Sequence, residues 1–182
     1  MKGVLFNLLE EFIIENYGEK TFDDILDECS LTTTEPFVGP GTYPDEDLME
    51  IVTKAAAKLG ITPDQAMFAY GRYIFPKLVE AVPQFVEHHD HPKVFLKTIN
   101  DVIHMEVKKM YTHAYTPEFK YFDTEEDKLI IQYSSKRKLY ALMEGLIEGV
   151  ADYFNYTIRR SRKIHDLNGK EVCDFSLYFI PN

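Results

Sequence analysis

The sequence predicts an α+β fold: an N-terminal helical part followed by a C-terminal antiparallel sheet with helices. Three observations lead there. Apolar residues recur at helical spacing through most of the chain before Tyr115. After Tyr115 four short segments rich in aromatic and β-branched residues are set in pairs around turn residues. The helix-like and strand-like segments are grouped rather than alternating, which points away from a parallel βαβ sheet.

Taken in order, Val4, Leu5, Leu8, Leu9, Phe12 and Ile13 form a helical stripe that closes at Tyr17-Gly18. Thr21-Phe22-Asp23-Asp24 opens a short second helix to Glu28. Three threonines, Pro36, Gly39-Pro40-Gly41 and Pro44 make residues 31–43 a loop. Asp45, Glu46 and Asp47 then favour a helix N-terminus, and that helix stops at Gly60. Thr62-Pro63 starts the next helix, in which Pro76 is expected to cause a kink or a split. Residues 83–92 form a break, and one long helix is expected over about 93–111. Strands are expected at 118–123 and 128–134 around an acidic turn, and at 156–163 and 172–179 around Asn168-Gly169. A helix over 139–154 lies between the two pairs.

The 182 residues suit one domain, with a helical part over about 1–82 and a mixed α/β part over about 83–182. A hydrophobic share of 45% with 27% charged residues is globular composition. The net charge of −10 argues against nucleic acid or an anionic membrane surface as partner. Cys29 and Cys173 are the only cysteines, so no disulfide framework is expected and a reducing compartment suits the chain. The first apolar run is broken by Asn7 and ended by Glu10-Glu11, unlike a signal peptide. No stretch approaches the ~18 apolar residues of a membrane span. A cytoplasmic protein is the expectation.

Two sets of residues could carry chemistry. His88, His89 and His91 crowd one loop, but consecutive histidines do not converge on one ion, and no matching ligand pair lies nearby. His104 sits within a helix among bulky apolar residues. The main stripe of that helix runs through Phe95, Ile99, Val102, Ile103 and Met110, and His104 falls to one side of it. Periodicity therefore describes a partly exposed histidine, while an imidazole is also the commonest axial ligand to haem iron in gas-binding proteins. The spacing does not decide between them. The second set is Tyr133-x-Ser135-x-Arg137. If the strand persists, these three side chains share a face and suit carboxylates or a phosphate. A polar edge-strand face gives the same pattern.

These residues resemble the haem–nitric oxide/oxygen binding (H-NOX) family, the sensor domains shared by bacterial proteins and soluble guanylate cyclase. The Y-x-S-x-R motif is that family's signature. The likeness extends over the whole chain: Met1-Lys2-Gly3, Gly71-Arg72, Ile103-His104-Met105-Glu106-Val107, and Arg137-Lys138-Leu139-Tyr140 running into Glu144-Gly145-Leu146-Ile147-Glu148-Gly149. The resemblance implies a b-type haem with His104 as proximal iron ligand. It implies that Tyr133, Ser135 and Arg137 clamp the propionates and that Pro117 presses on and distorts the macrocycle. It places Leu5, Leu9, Ile74, Leu78 and Leu142 on the distal side. Oxygen-binding members carry a tyrosine where this chain has Leu142, so the resemblance implies a binder of NO and CO that rejects O₂. Of the nearby phenols, Tyr140 is two residues from Leu142 and so on a different face of the helix, while Tyr73 adjoins Ile74 and is less firmly excluded.

On this reading NO breaks the iron–His104 bond and the helix loses its tether. A chain of this length leaves no room for an output domain. The signal is expected to pass to a separate effector, a histidine kinase or a cyclic-di-GMP cyclase or phosphodiesterase. His165 and Cys173 match part of a zinc site found in some relatives, but two ligands do not close it, and zinc is not expected. The chain is not expected to be an enzyme. A peroxidase-type haem enzyme needs a distal acid or base that the apolar set lacks. A haem-free interaction module is the other alternative, and it predicts a colourless protein.

Overall fold

The computed structural model describes residues 1–111 and 115–182. Its helical part is built from α1 (Gly3–Tyr17), α2 (Glu19–Asp27), α3 (Asp45–Leu59) and α4 (Pro63–Ala81). Each boundary has a local cause. α4 starts in a capping box, where Thr62 Oγ1 accepts from Gln65 N and Gln65 Oε1 accepts from Thr62 N. α3 ends at Gly60, whose φ of 68° suits a residue without Cβ. The loop before α3 is held by Asp47, which accepts from the amides of Thr32 and Thr33 and from Thr33 Oγ1.

Of the kink or split expected at Pro76, the split does not occur: α4 continues to Ala81. A proline inside a helix costs ~3 kcal/mol or more. Tyr70 and Ile74, each 1% exposed, show what offsets it, because α4 is the buried spine of the helical part.

Next come α5 (Pro92–Thr98), a π-helical turn (Ile99–Ile103) and α6 (His104–Met110). The expected single long helix is therefore interrupted in hydrogen-bond pattern. The remaining elements are β1 (Glu118–Glu125), β2 (Lys128–Ser134), α7 (Tyr140–Phe154), β3 (Tyr156–Leu167) and β4 (Lys170–Pro181). The sheet is antiparallel throughout, in the order β1-β2-β4-β3. β3 and β4 run longer than expected. Asn168 and Gly169, at φ 56° and 81°, make the two-residue turn that a twisted hairpin favours.

Two hydrophobic clusters result. One joins α1 to α4 and reaches Ala141 and Leu142 of α7. The other joins the inner sheet face to α7 and to Phe95 and Leu96 of α5. α4 and α7 meet between them at backbone distance. A Cβ on Gly71 would lie 2.5 Å from the Leu142 carbonyl oxygen, so only glycine fits there. This contact sets Leu142 opposite α4.

Candidate functional site

His104 is the first residue after the π turn. A π turn adds one residue to the helical phase and rotates the next turn of helix by ~100°. This explains a departure from the expected stripe. Phe95 is buried and Ile99 and Ile103 pack on the sheet core, but Val102 is 44% exposed. His104 turns inward, and its ring stacks on Phe119 with centroids 5.4 Å apart. Burial, helped by the Lys108 charge, pushes its pKa down to about 4, with the Pro117 backbone acting weakly the other way. The imidazole is therefore neutral at neutral pH, which is the ligating form. Its Nδ1 is buried and forms no hydrogen bond of normal geometry among the described residues.

Tyr133, Ser135 and Arg137 do lie together, but not by strand alternation. β2 ends at Ser134, and a turn through Lys138, at φ 51°, carries the other two. Tyr133 Oη accepts from Leu139 N, and Ser135 Oγ accepts from Arg137 N, which leaves both hydroxyl protons to donate. The Arg137 fork is engaged. Its Nε and Nη2 donate to Asp45 at 2.6 and 2.9 Å, and its Nη1 donates to the Tyr115 carbonyl. The N-terminal ammonium of Met1 shares Asp45 at 2.6 Å. Burial alone would raise the Asp45 pKa, but Arg137 and the ammonium outweigh it and hold the carboxyl below its ordinary value. Sequence reasoning missed Asp45 in this role, because its place after Pro44 was fully explained by a helix N-terminus.

The five apolar residues belong to the helical cluster. Leu9 and Ile74 are buried, while Leu5, Leu78 and Leu142 are half-buried and packed against it. The nearby phenols are engaged elsewhere. Tyr73 donates to Glu15 at 2.8 Å, and Tyr140 donates to Glu171 at 2.6 Å. Tyr70 is a further residue that sequence reasoning missed. It is buried among these residues and donates to the Leu5 carbonyl at 2.5 Å. Its signal was a phenol at an otherwise apolar helix position.

The remaining candidates disperse. His91 Nδ1 accepts from Lys93 N and its ring meets Tyr156, His89 meets Phe95, and His88 is exposed beside Glu87. His165 bonds Asp174 at 2.8 Å on the outer sheet face. Cys173 is paired with Ile164 and faces inward, so the two do not converge. No cluster of three metal-ligating side chains occurs among the described residues.

The residues fit a haem. A neutral, half-buried imidazole whose Nδ1 has no partner among the described residues suits ligation, two hydroxyls and a guanidinium suit carboxylates, and an apolar set suits the macrocycle. The Haem-NO-binding family profile matches residues 2–162. A soluble guanylate cyclase of Caenorhabditis elegans, gcy-32, is 25% identical over the whole chain, which spans 28% of that protein's length. An H-NOX protein from S. oneidensis in the Fe(II) ligation state superposes with a TM-score of 0.91 at 26% identity, covering 100% of this chain and 97% of that one. The same organism's Fe(II)NO form gives 0.87 at 27% identity, covering 98% and 99%. The unliganded Fe(II) protein from K. algicida gives 0.90 at 22% identity, covering 100% and 98%, which supports the fold. The chain belongs to the Haem-NO-binding (H-NOX) family of haem-based gas sensors.

Proposed function

We propose that the described residues act as one sensor domain for nitric oxide, with a ferrous b-type haem held by His104 that takes NO and CO and refuses O₂. The observation that carries the reading is the neutral, half-buried His104, whose buried Nδ1 has no hydrogen-bond partner among the described residues, together with a wholly apolar group of Leu5, Leu9, Ile74, Leu78 and Leu142 in the helical cluster. A haem held by His104 would supply the gas-binding iron, and the response to NO would lie in the tether between that iron and His104.

This chain's residues supply the rest. Tyr133, Ser135 and Arg137 fix the propionate edge, and Pro117 bears on the macrocycle. Ferrous O₂ needs a hydrogen-bond donor more than NO does, and such a bond is worth about 1.5–3 kcal/mol. Tyr70, Tyr73 and Tyr140 spend their hydroxyls on protein partners. Support also comes from S. oneidensis H-NOX structures in Fe(II)NO and Fe(II)CO states. Release of His104 frees the α6 helix to pass the signal to a separate effector, a histidine kinase or a cyclic-di-GMP enzyme.

The test is an anaerobic visible spectrum of the reduced protein, repeated with NO and with air. The expected Soret band moves with NO and CO and ignores O₂. A stable oxy spectrum overturns the selectivity, and a colourless protein after haem is supplied overturns the haem reading.

A further inference from the structure

One face of the sheet packs on helices, and the other is open. On the open face Phe122 (β1), Ile130 (β2), Tyr178 and Ile180 (β4) form a diagonal apolar band. Phe122, Tyr178 and Ile180 are 46%, 40% and 37% exposed. Ser176 and Ser161 continue the row of Phe122 and Ile130 with small side chains. Around the band stand Lys120, Arg159 and Lys163, all exposed. No ion pair among the described residues uses these three. The acidic neighbours on this face are already taken: Asp174 by His165 and Gln132, Glu118 by Lys170 and Glu125 by Lys128. A protein of net charge −10 thus gathers three uncompensated cations around one exposed apolar band.

We propose that this outer sheet face docks an amphipathic helix of a separate protein, apolar along one side and lined with carboxylates at its edges. Four strands at ~4.8 Å spacing offer a floor wide enough for a ~10 Å helix. An apolar centre with a charged rim is the ordinary anatomy of a specific interface. A second copy does not suit it, because a symmetric pairing would oppose Lys120, Arg159 and Lys163 to themselves.

β1 ties this face to the sensor. Side chains alternate along a strand. Phe119 points inward and stacks on His104, and Tyr121 points inward and accepts from Asn100 N in the π turn at 3.3 Å. Phe119 N donates to Asn100 Oδ1 at 3.3 Å. Lys120 and Phe122 point outward on the same strand. Movement of the His104 helix therefore reaches the docking face through one edge strand. This coupling rests on the sensor reading, whereas the docking does not.

The test uses the haem-loaded protein and fluorescence anisotropy with a labelled helical peptide, leucines on one side and glutamates at the edges. A lysine-edged twin is the control. Binding by the glutamate peptide is expected to weaken about tenfold or more in the Lys120→Glu/Arg159→Glu double variant and in Phe122→Ser, and to weaken with salt. Lys20→Glu, on α2, should leave it unchanged. Equal binding of the lysine twin, no binding of either peptide, or indifference to the face variants overturns the docking. So does a dimer in sedimentation that Phe122→Ser dissolves, or binding to anionic vesicles through the same residues. Equal peptide affinity with and without NO overturns the coupling alone. A Soret band that does not respond to NO overturns the sensor reading and leaves the docking result standing.

Discussion

The helical half and the sheet half treat buried polar atoms differently. In the helical half Tyr70 reaches the Leu5 carbonyl and Asp47 takes three donors. The buried side-chain atoms without partners among the described residues are His104 Nδ1, Thr116 Oγ1 and Ser134 Oγ, all in the second half. Each such atom costs about 1–3 kcal/mol when left unpaired. The helical half is organised for packing, and it contains the leucines proposed to form the distal wall. The sheet half carries the polar cost, and it holds His104, the proposed iron ligand, at the end of a π turn. Among the described side chains α6 adds no fully buried residue to hold itself in place, while α5 contributes Phe95 and Leu96. On the proposed function, tight packing thus sits on the side that only has to exclude, and loose packing on the side that has to move.

Substitutions that break this contrast should have the largest effects. His104→Gly removes the imidazole, and the NO-dependent spectral and partner responses should be lost entirely, as an NO titration of the variant would read. Leu142→Tyr places a donor on the inert wall opposite α4. It should raise O₂ affinity about ten- to a hundredfold, the value of one hydrogen bond to a charged group. An O₂ titration of the reduced variant checks this. If it leaves O₂ affinity unchanged, hydrogen bonding is not what the wall withholds.

Smaller effects sharpen the contrast. Arg137→Ala leaves Asp45, which is 28% exposed, with only the Met1 ammonium as charged partner among the described residues, and should destabilise the fold by about 1 kcal/mol while speeding haem transfer to a scavenger. Denaturant melts and a scavenger assay separate the two consequences. Asp47 is only 2% exposed. Burial alone would raise its pKa, but its bonds to Thr32 and Thr33 hold it below the ordinary value. A carboxyl lowered in the folded state contributes its stability above the unfolded value near ~3.9 and loses it as pH falls through the folded value. Acid melts should therefore be shallower for Asp47→Asn, which is also less stable at neutral pH by about 1–2 kcal/mol. The least effect is expected from Tyr70→Phe. It should cost about 1 kcal/mol in a thermal melt and leave O₂ rejection intact, since its hydroxyl already serves Leu5.

Much of this was legible in the sequence, for identifiable reasons. The helices and the hairpins carry their own punctuation, from Thr62-Pro63 to Asn168-Gly169, and period alone separates them. The motif residues 133, 135 and 137 were legible as a group, although a turn rather than a strand unites them, because nothing in Lys138 announces a positive φ. The π turn was not legible. A one-residue change of helical phase leaves no residue signature, and it was this change that made His104 look displaced from its stripe. Asp45 and Tyr70 were hidden by sufficiency: a helix start and an apolar face each explained the residue without its partner. Pro76 does not split α4 because its local penalty is offset by the packing around Tyr70 and Ile74.

The central claim is that His104 ties the iron to a helix that can be released. Resonance Raman spectroscopy of the reduced, unliganded protein measures that bond directly through its iron–histidine stretch. The band should be present in the wild type, absent in His104→Gly and restored in that variant by free imidazole. A band that persists unchanged in His104→Gly would place the iron on another residue and contradict the account.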